Sequence, residues 1–263
     1  MREILDRLGF DAISKEDRPY IAEDFVFQPS DYASGRELRN VHEDLVLEET
    51  PLAVSRQIHL QHSTRAHTSL KLRLALCWNG FRDALTLLAY YAQSFQRAVP
   101  ESSVVNAAEK YGTGDFGLAW AWSGDGEPDV LAFVKNNVFV GIEGHDAAAL
   151  VRPLARELAD ALGKLRTGGT YGEERAGLLA DVRRRAGEVP SLPPGGRLDL
   201  GVLPADDSTL FFVTSSGSVN RSPQEKDSWY YRAGAGKGRQ EIILFRVGKG
   251  ILPIKERLTV EVK

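Results

Sequence analysis

Two short apolar runs on either side of a pair of asparagines constrain this chain more than any other stretch. Val130-Leu131-Ala132-Phe133-Val134 and Val138-Phe139-Val140-Gly141-Ile142 flank Lys135-Asn136-Asn137. Asparagine tolerates the positive φ that a tight hairpin loop demands, so the spacing predicts an antiparallel hairpin turning at Asn136-Asn137. Asp146 is placed to cap a following helix that reaches about Arg166, with Leu150, Leu154, Leu158, Leu162 and Leu165 on one stripe. Pro153 lies inside that stripe, which predicts a kink or a separate short helix in its first turns.

Upstream, Val54-Ser55-Arg56-Gln57-Ile58-His59-Leu60 alternates with the period of a strand. Ser69 to Cys77 alternates more cleanly, with Leu70, Leu72, Leu74 and Leu76 on one side and Lys71, Arg73, Ala75 and Cys77 on the other. Asn79 then caps a predicted helix with Phe81, Leu85, Leu88, Ala92 and Phe95 at spacings of three and four, ending near Pro100. Phe116, Leu118, Trp120 and Trp122 alternate with Gly117, Ala119 and Ala121, a strand whose small-residue face suits a packed helix. Residues 53–166 therefore read β-β-α-β-β-β-α, an α+β domain with a mostly antiparallel sheet and helices packed on one face.

Residues 1–50 read as an irregular acidic N-terminal segment with short helices near 2–9 and 34–42. Residues 167–196 read as a connecting helix over Glu173 to Arg185 followed by a linker marked by Pro190, Pro193, Pro194, Gly195 and Gly196. Residues 197–263 read as a small all-β module, a thin sandwich or barrel with strands at 197–203, 208–215, 228–233, 240–247 and 256–262 and turns at Asp206-Asp207, Gly234 to Gly238 and Gly248 to Gly250. Such a module could borrow a strand from the N-terminal segment.

Composition narrows the class. The 263 residues are 43% hydrophobic and 26% charged with a formal net charge of −3, which excludes wholesale disorder. No apolar run approaches the ~18 residues of a membrane span. The single cysteine, Cys77, excludes an intrachain disulfide framework and reads as a small core side chain. Arginine outnumbers lysine 23 to 10, a bias typical of GC-rich bacterial genomes. The residues after Met1 lack the apolar core of a secretory signal, so the expectation is a cytoplasmic chain; a mature extracytoplasmic domain behind a start methionine reads the same. Charge is segregated, residues 1–60 carrying 7 basic and 13 acidic side chains and the C-terminal end an excess of basic ones.

No stretch carries a complete catalytic or cofactor signature, and the expectation is no cofactor and no metal. His42, His59, His62 and His67 cluster, but residues three apart on a strand face opposite sides, so His59 and His62 do not share a ligand. Gly234-Ala235-Gly236-Lys237-Gly238 lacks the Ser or Thr and the following helix of a phosphate loop, and reads as a hairpin turn. Glu143-Gly144-His145-Asp146, at a strand end before a helix, could supply an acid–base pair with Asp115 from a neighbouring strand. Trp229, Tyr230 and Arg232, with Lys237 and Arg239, form the most promising binding surface: alternation puts Trp229 and Tyr231 on one face of a strand and Tyr230 and Arg232 on the other, an aromatic–basic platform.

The runs Gly114-Asp115-Phe116-Gly117-Leu118-Ala119 and Asp129 to Val140, followed by the leucine-rich helix at 150–165, resemble small bacterial α/β sandwich lipoproteins of the PsbP-like or LpqN-like kind. In those a GD-x-A strand precedes a V-x-F-R-x-G-N-V-V-V hairpin and a helix; Asn136 stands here in place of the usual glycine. The resemblance covers about residues 114–165. It implies a non-enzymatic binding or accessory module, often extracytoplasmic, and carries no site residues across. The leading expectation is thus a binding or assembly protein acting through its C-terminal module, with a protein partner or self-association ahead of a polyanion and no membrane span. A hydrolase or lyase using Glu143, His145 or Asp146 is one rival. A subunit of a self-assembling bacterial complex, the acidic end of one chain meeting the basic end of the next, is the other.

Overall fold

The computed structural model of the protein describes residues 2–10, 13, 27–49, 51–77, 80–95, 103–122, 126–165, 178–202, 209–223, 228–248 and 254–263. The chain divides into two units, Met1–Gly169 and Thr170–Lys263. The first begins with α1 (Arg2–Arg7) and continues through β1 (Leu38–Glu49), β2 (Leu52–His62), β3 (Ser69–Cys77), α2 (Phe81–Ser94) and β4 (Val105–Asn106). α3 (Ala107–Tyr111), β5 (Phe116–Trp120), β6 (Val130–Lys135), β7 (Val138–His145) and α4 (Ala148–Gly163) complete it. The strands form one seven-stranded antiparallel sheet in the order β1-β2-β3-β7-β6-β5-β4.

The asparagine-marked hairpin sits at the centre of this sheet. Asn136 takes φ 51°, and the loop is clamped from outside: Asp115 accepts from the Asn136 amide at 2.7 Å and pairs with Lys135 at 3.0 Å. Asn137, buried, donates its side-chain amide to the Cys77 carbonyl at 3.0 Å, tying the turn to the end of β3. Residues Val130–Val134 and Val138–Ile142 are buried on both sides of the strand, so both faces of the sheet need cover there.

That requirement corrects the expectation of helices on one face. A Cβ added at Gly141 would meet Tyr91 of α2 at 2.9 Å, and one at Gly144 would meet Val151 of α4 at 2.8 Å. Residues 141 and 144 of β7 point to opposite sides, so α2 and α4 cover opposite faces. α4 covers the face that carries the leucines of β3, all at most 2% exposed. α2 lies over Phe139, Gly141 and the bulky side of β5, where Phe95 stacks beside Trp120 at 5.2 Å. The small face of β5 receives α3, whose Ala107 lies 3.2 Å from a Cβ at Gly117.

Several local expectations change. Residues 38–49 are not irregular: β1 pairs along nearly all of β2, from Leu38 opposite His62 to Glu49 opposite Leu52, and of the helix expected near 34–42 only a 3-10 turn at Ala33–Gly35 forms. The exposed edge of β2 recruits β1 although its sequence is charged, because tertiary pairing outweighs strand propensity. The N-terminal segment thereby extends the large sheet, and among the described residues it lends no strand to the C-terminal module. β7 runs past Ile142 through Glu143, Gly144 and His145, and Asp146 does not cap α4; it turns the chain at φ 50°, and Ala147 stands at the cap. α4 runs through Pro153 as one helix, because a proline this near the start forfeits only a bond to the first turn. Asn79 and Pro100 fall outside the described residues.

The second unit contains α5 (Leu178–Ala186), β8 (Ser191–Leu192), β9 (Arg197–Val202), β10 (Thr209–Thr214), β11 (Ser218–Arg221), β12 (Ser228–Arg232), β13 (Gly238–Val247) and β14 (Ile254–Val262). A four-stranded sheet β10-β13-β14-β8 and a three-stranded sheet β11-β12-β9 share a core centred on Tyr231, Leu200, Ile242, Leu258 and Val260. The segment read as a connector is part of that core: Leu179 and Val182 of α5 are fully buried, and buried Glu256 of β14 accepts from the Leu179 amide at 2.6 Å at the start of the helix. The proline–glycine stretch also joins in, β8 pairing with β14 in parallel and Gly196 accepting from the Ala233 amide at 2.9 Å. The expected start of the connecting helix at Glu173, the turn at Asp206-Asp207, and Lys249 and Gly250 of the last turn lie outside the described residues. Among the described residues no helix is long and apolar enough to cross a membrane.

Close approach at Gly117 gives a stability test. A Cβ there would meet the Ala132 carbonyl oxygen at 2.8 Å, backbone that cannot yield without parting β5 from β6, whereas at Gly163 of α4 only Lys135 Cε lies near, at 3.7 Å. Gly117→Ala is expected to lower stability by about 1–3 kcal/mol in urea denaturation. Gly163→Ala should leave it unchanged or raise it by up to about 1 kcal/mol through helix propensity. Equal midpoints for the two variants would contradict the packing described.

Candidate functional site

Beyond the edge of α2 the same face of the large sheet is polar. Register places side chains in rows across the strands: His42, His59, Lys71 and Glu143 in one, with Gln61, Ser69 and His145 in the next. Where these rows meet the end of β5, the surface sinks into a cleft of about 470 Å³ lined by His59, Gln61, Lys71, Trp122, Glu143 and His145, with Val41 at its rim. Val41 stands out because β1 bulges between Asn40 and His42. Trp122 reaches the cleft because Asp129 accepts its amide at 2.7 Å while the Asp129 carbonyl accepts from Gly144 at 2.7 Å, which fastens the end of β5 beside β7. Trp122 is 40% exposed and Val41 51%, so two large apolar side chains flank a concavity that also holds charged and polar groups.

Behind the cleft runs an aromatic series. Trp122 lies 5.7 Å from Phe95, Phe95 5.1 Å from Tyr91, and Tyr91 5.3 Å from Phe139. The Tyr91 hydroxyl donates to Glu143 at 2.9 Å, so α2 fixes one oxygen of this carboxylate. Arg73 lies over the Tyr91 and Phe139 rings, 6.0 and 5.9 Å from their centres, and pairs with Glu48, which also accepts from Ser55. Burial pushes the Tyr91 phenol well above its ordinary 10, the charge of Glu143 and its hydrogen bond add to the rise, and Arg73 opposes it. Tyr32, near α4, is pushed up to about 12 by burial, then by Asp31 and Glu157.

The acid–base set predicted from sequence is only partly assembled. Glu143 and His145 share a face of β7 and line the cleft together. Asp146 lies beyond the strand in the left-handed turn. Asp115 clamps the opposite end of the β6–β7 hairpin, five strand residues from Glu143 or about 17 Å, and takes no part. His59 and His62 face opposite ways: His59 stands 5.7 Å from His42 on the cleft side, while buried His62 pairs with Glu37 at 2.7 Å. Cys77 is fully buried, and burial drives its thiol far above the usual range. Among the described residues no three His, Cys, Asp or Glu side chains converge on a metal-sized point.

The aromatic–basic set of the C-terminal unit divides three ways. Trp229 packs inward, 5.0 Å from Phe212, with the Arg221 guanidinium over its ring, 5.1 Å from the ring centre. Tyr230 and Arg232 share the outer face of the three-stranded sheet with Arg197, whose guanidinium lies 4.0 Å from the Tyr230 ring centre. Lys237 lies in the glycine-rich loop that crosses from β12 in one sheet to β13 in the other, so this stretch closes no hairpin as the sequence had suggested, and Arg239 at the start of β13 sits 3.8 Å from Glu261. The glycine-rich loop itself is pinned: buried Gln240 accepts from the Gly234 amide at 3.0 Å, donates to the Gly236 carbonyl at 2.7 Å, and touches the Tyr231 hydroxyl.

Sequence reasoning missed Lys71, Trp122 and the cleft as a whole. The signal for Lys71 was present, since it alternates with the leucines of β3, but no local pattern shows that α2 stops short of it. No protein-family model, curated protein or solved structure matches this chain.

The buried phenols set an alkaline limit. Unfolded tyrosines ionise near pH 10, whereas the folded state keeps Tyr91 and Tyr32 protonated, so their contribution is complete below about pH 10 and is lost as pH rises toward the folded values. Tyr91→Phe should flatten the fall in urea-denaturation stability between about pH 9 and 11, while costing about 1–3 kcal/mol near neutrality through the hydrogen bond to Glu143. An unchanged alkaline slope would contradict the burial of this phenol.

Proposed function

We propose that this chain is a binding protein that takes a small ligand into the cleft on the polar face of its large sheet. The observation that carries the reading is the convergence of Trp122, His59, Lys71, Glu143 and His145 on one concavity of about 470 Å³, a size within the roughly 300–1,000 Å³ of small-molecule sites. An apolar platform beside a few convergent polar groups is how such sites combine affinity with orientation. The binding class expected from sequence is kept, and its location moves from the C-terminal module to the N-terminal unit. The PsbP-like or LpqN-like resemblance of residues 114–165 agrees with a binding role and stays a proposal.

A ligand seated at a concentration 100-fold above its dissociation constant stabilises the fold by about 2.7 kcal/mol. Native mass spectrometry of the purified protein, followed by a thermal-shift screen of small metabolites, is expected to reveal such a ligand. Lys71→Met and Trp122→Ala should abolish the shift while leaving the ligand-free melting temperature within a few degrees. A shift that survives both substitutions, or a screen in which nothing stabilises the protein, would overturn the reading.

A second contact surface is supported by the exposed Arg197 stacked on half-buried Tyr230, with exposed Arg232 beside it on an outer sheet face. These side chains suit an acidic partner. The double variant Arg197→Ala, Arg232→Ala should elute from a heparin column at distinctly lower salt with unchanged melting temperature. Unchanged elution would remove the C-terminal face from consideration.

A further inference from the structure

Lys71 and Glu143 stand directly opposite each other on β3 and β7, a placement that sets Cβ atoms about 4.5–5.5 Å apart. Oppositely charged neighbours at that spacing ordinarily close into an ion pair. Here they do not: among the described residues Glu143 is engaged by the Tyr91 hydroxyl from the α2 side, and Lys71 has no carboxylate partner. The cleft therefore presents one cationic and one anionic group side by side, each with unspent charge. His59, which stands opposite Lys71 on β2, and His145, two residues from Glu143 on the same strand face, add hydrogen-bonding groups at the flanks. Trp122 supplies an exposed aromatic surface next to them.

Resting on the ligand-binding reading of the cleft, we infer that its occupant is a free α-amino acid with an apolar side chain. The ligand carboxylate meets Lys71, its ammonium meets the second oxygen of Glu143, and its side chain lies against Trp122. A compact zwitterion satisfies both charges at once. A simple anion leaves Glu143 facing the bound negative charge, and a simple cation leaves Lys71 in the same position. Each mismatch carries the penalty of an uncompensated charge in a partly desolvated site. The fixed Tyr91–Glu143 hydrogen bond keeps one carboxylate oxygen directed and prevents collapse onto Lys71, which preserves the site in the absence of ligand.

Isothermal titration of the full chain with L-phenylalanine, 3-phenylpropionate and phenethylamine tests this directly, since the last two each lack one charge. The amino acid is expected to bind at least tenfold more tightly than either analogue. Glu143→Gln, which keeps an acceptor for Tyr91, should erase the advantage over 3-phenylpropionate. Lys71→Met should erase the advantage over phenethylamine. Equal affinity for L-phenylalanine and 3-phenylpropionate would overturn the zwitterion and leave the cleft as a ligand site. Failure of all three to bind while another compound from the thermal-shift screen does would overturn the amino acid class alone. Failure of every compound would overturn the binding reading with it.

Discussion

The central hairpin of the large sheet is apolar on both faces, and the rest of the first unit follows from the need to cover it twice. One helix cannot shield both sides of a strand pair, so α2 and α4 divide the task, and their contacts are close enough that glycines are required at 141 and 144. The turn that makes the hairpin possible is held from two directions, by Asp115 beneath it and by Asn137 reaching to the end of β3. Those polar clamps satisfy groups that burial would otherwise leave costly, and they fix where β5 and β3 lie relative to the pair.

The two helices are not equivalent in reach. On the α4 side, apolar side chains continue outward across β3 and into β2, so the apolar layer extends well past the hairpin. On the α2 side, the sheet changes character one strand from the centre: Arg73 is the last residue sheltered by aromatic rings, and Lys71 and His59 lie outside. The cleft is the boundary between the covered and uncovered parts of that face. Its aromatic wall is the exposed end of the series that packs α2 onto the sheet. Packing and recognition therefore share side chains, and a change at Tyr91 or Phe95 would be felt in both.

Elements with a strong period were legible in the sequence. β3 has the boundaries its alternating leucines imply, and the hairpin turns where the asparagines stand. β1 was not legible, because Arg39, His42, Glu43 and Asp44 obscure any two-residue pattern, and the strand exists by virtue of the partner it meets. The role of α5 was hidden for a related reason: two buried residues, Leu179 and Val182, in a nine-residue helix rich in arginine leave little trace of a core face. At the site, Glu143 and His145 were visible as chemistry at a strand end, but the strand runs on through them, since Gly144 mimics a turn signal while serving to admit Val151. The two faces of β12 were legible from alternation, but not which of them is core; the Trp229 side packs on Phe212.

β1 also bears on how the molecule behaves in a crowded solution. A twelve-residue strand at the rim of a sheet exposes a row of backbone donors and acceptors that another chain could extend, the first step toward fibrils. Here that rim is interrupted at Val41, where the register slips, and is studded with exposed Arg39, His42, Glu43 and Asp44. A second strand laid antiparallel along it would break step at the bulge and bring its own acidic pair toward this one. The same irregularity that lifts Val41 to the mouth of the cleft thus serves as a guard against uncontrolled sheet growth.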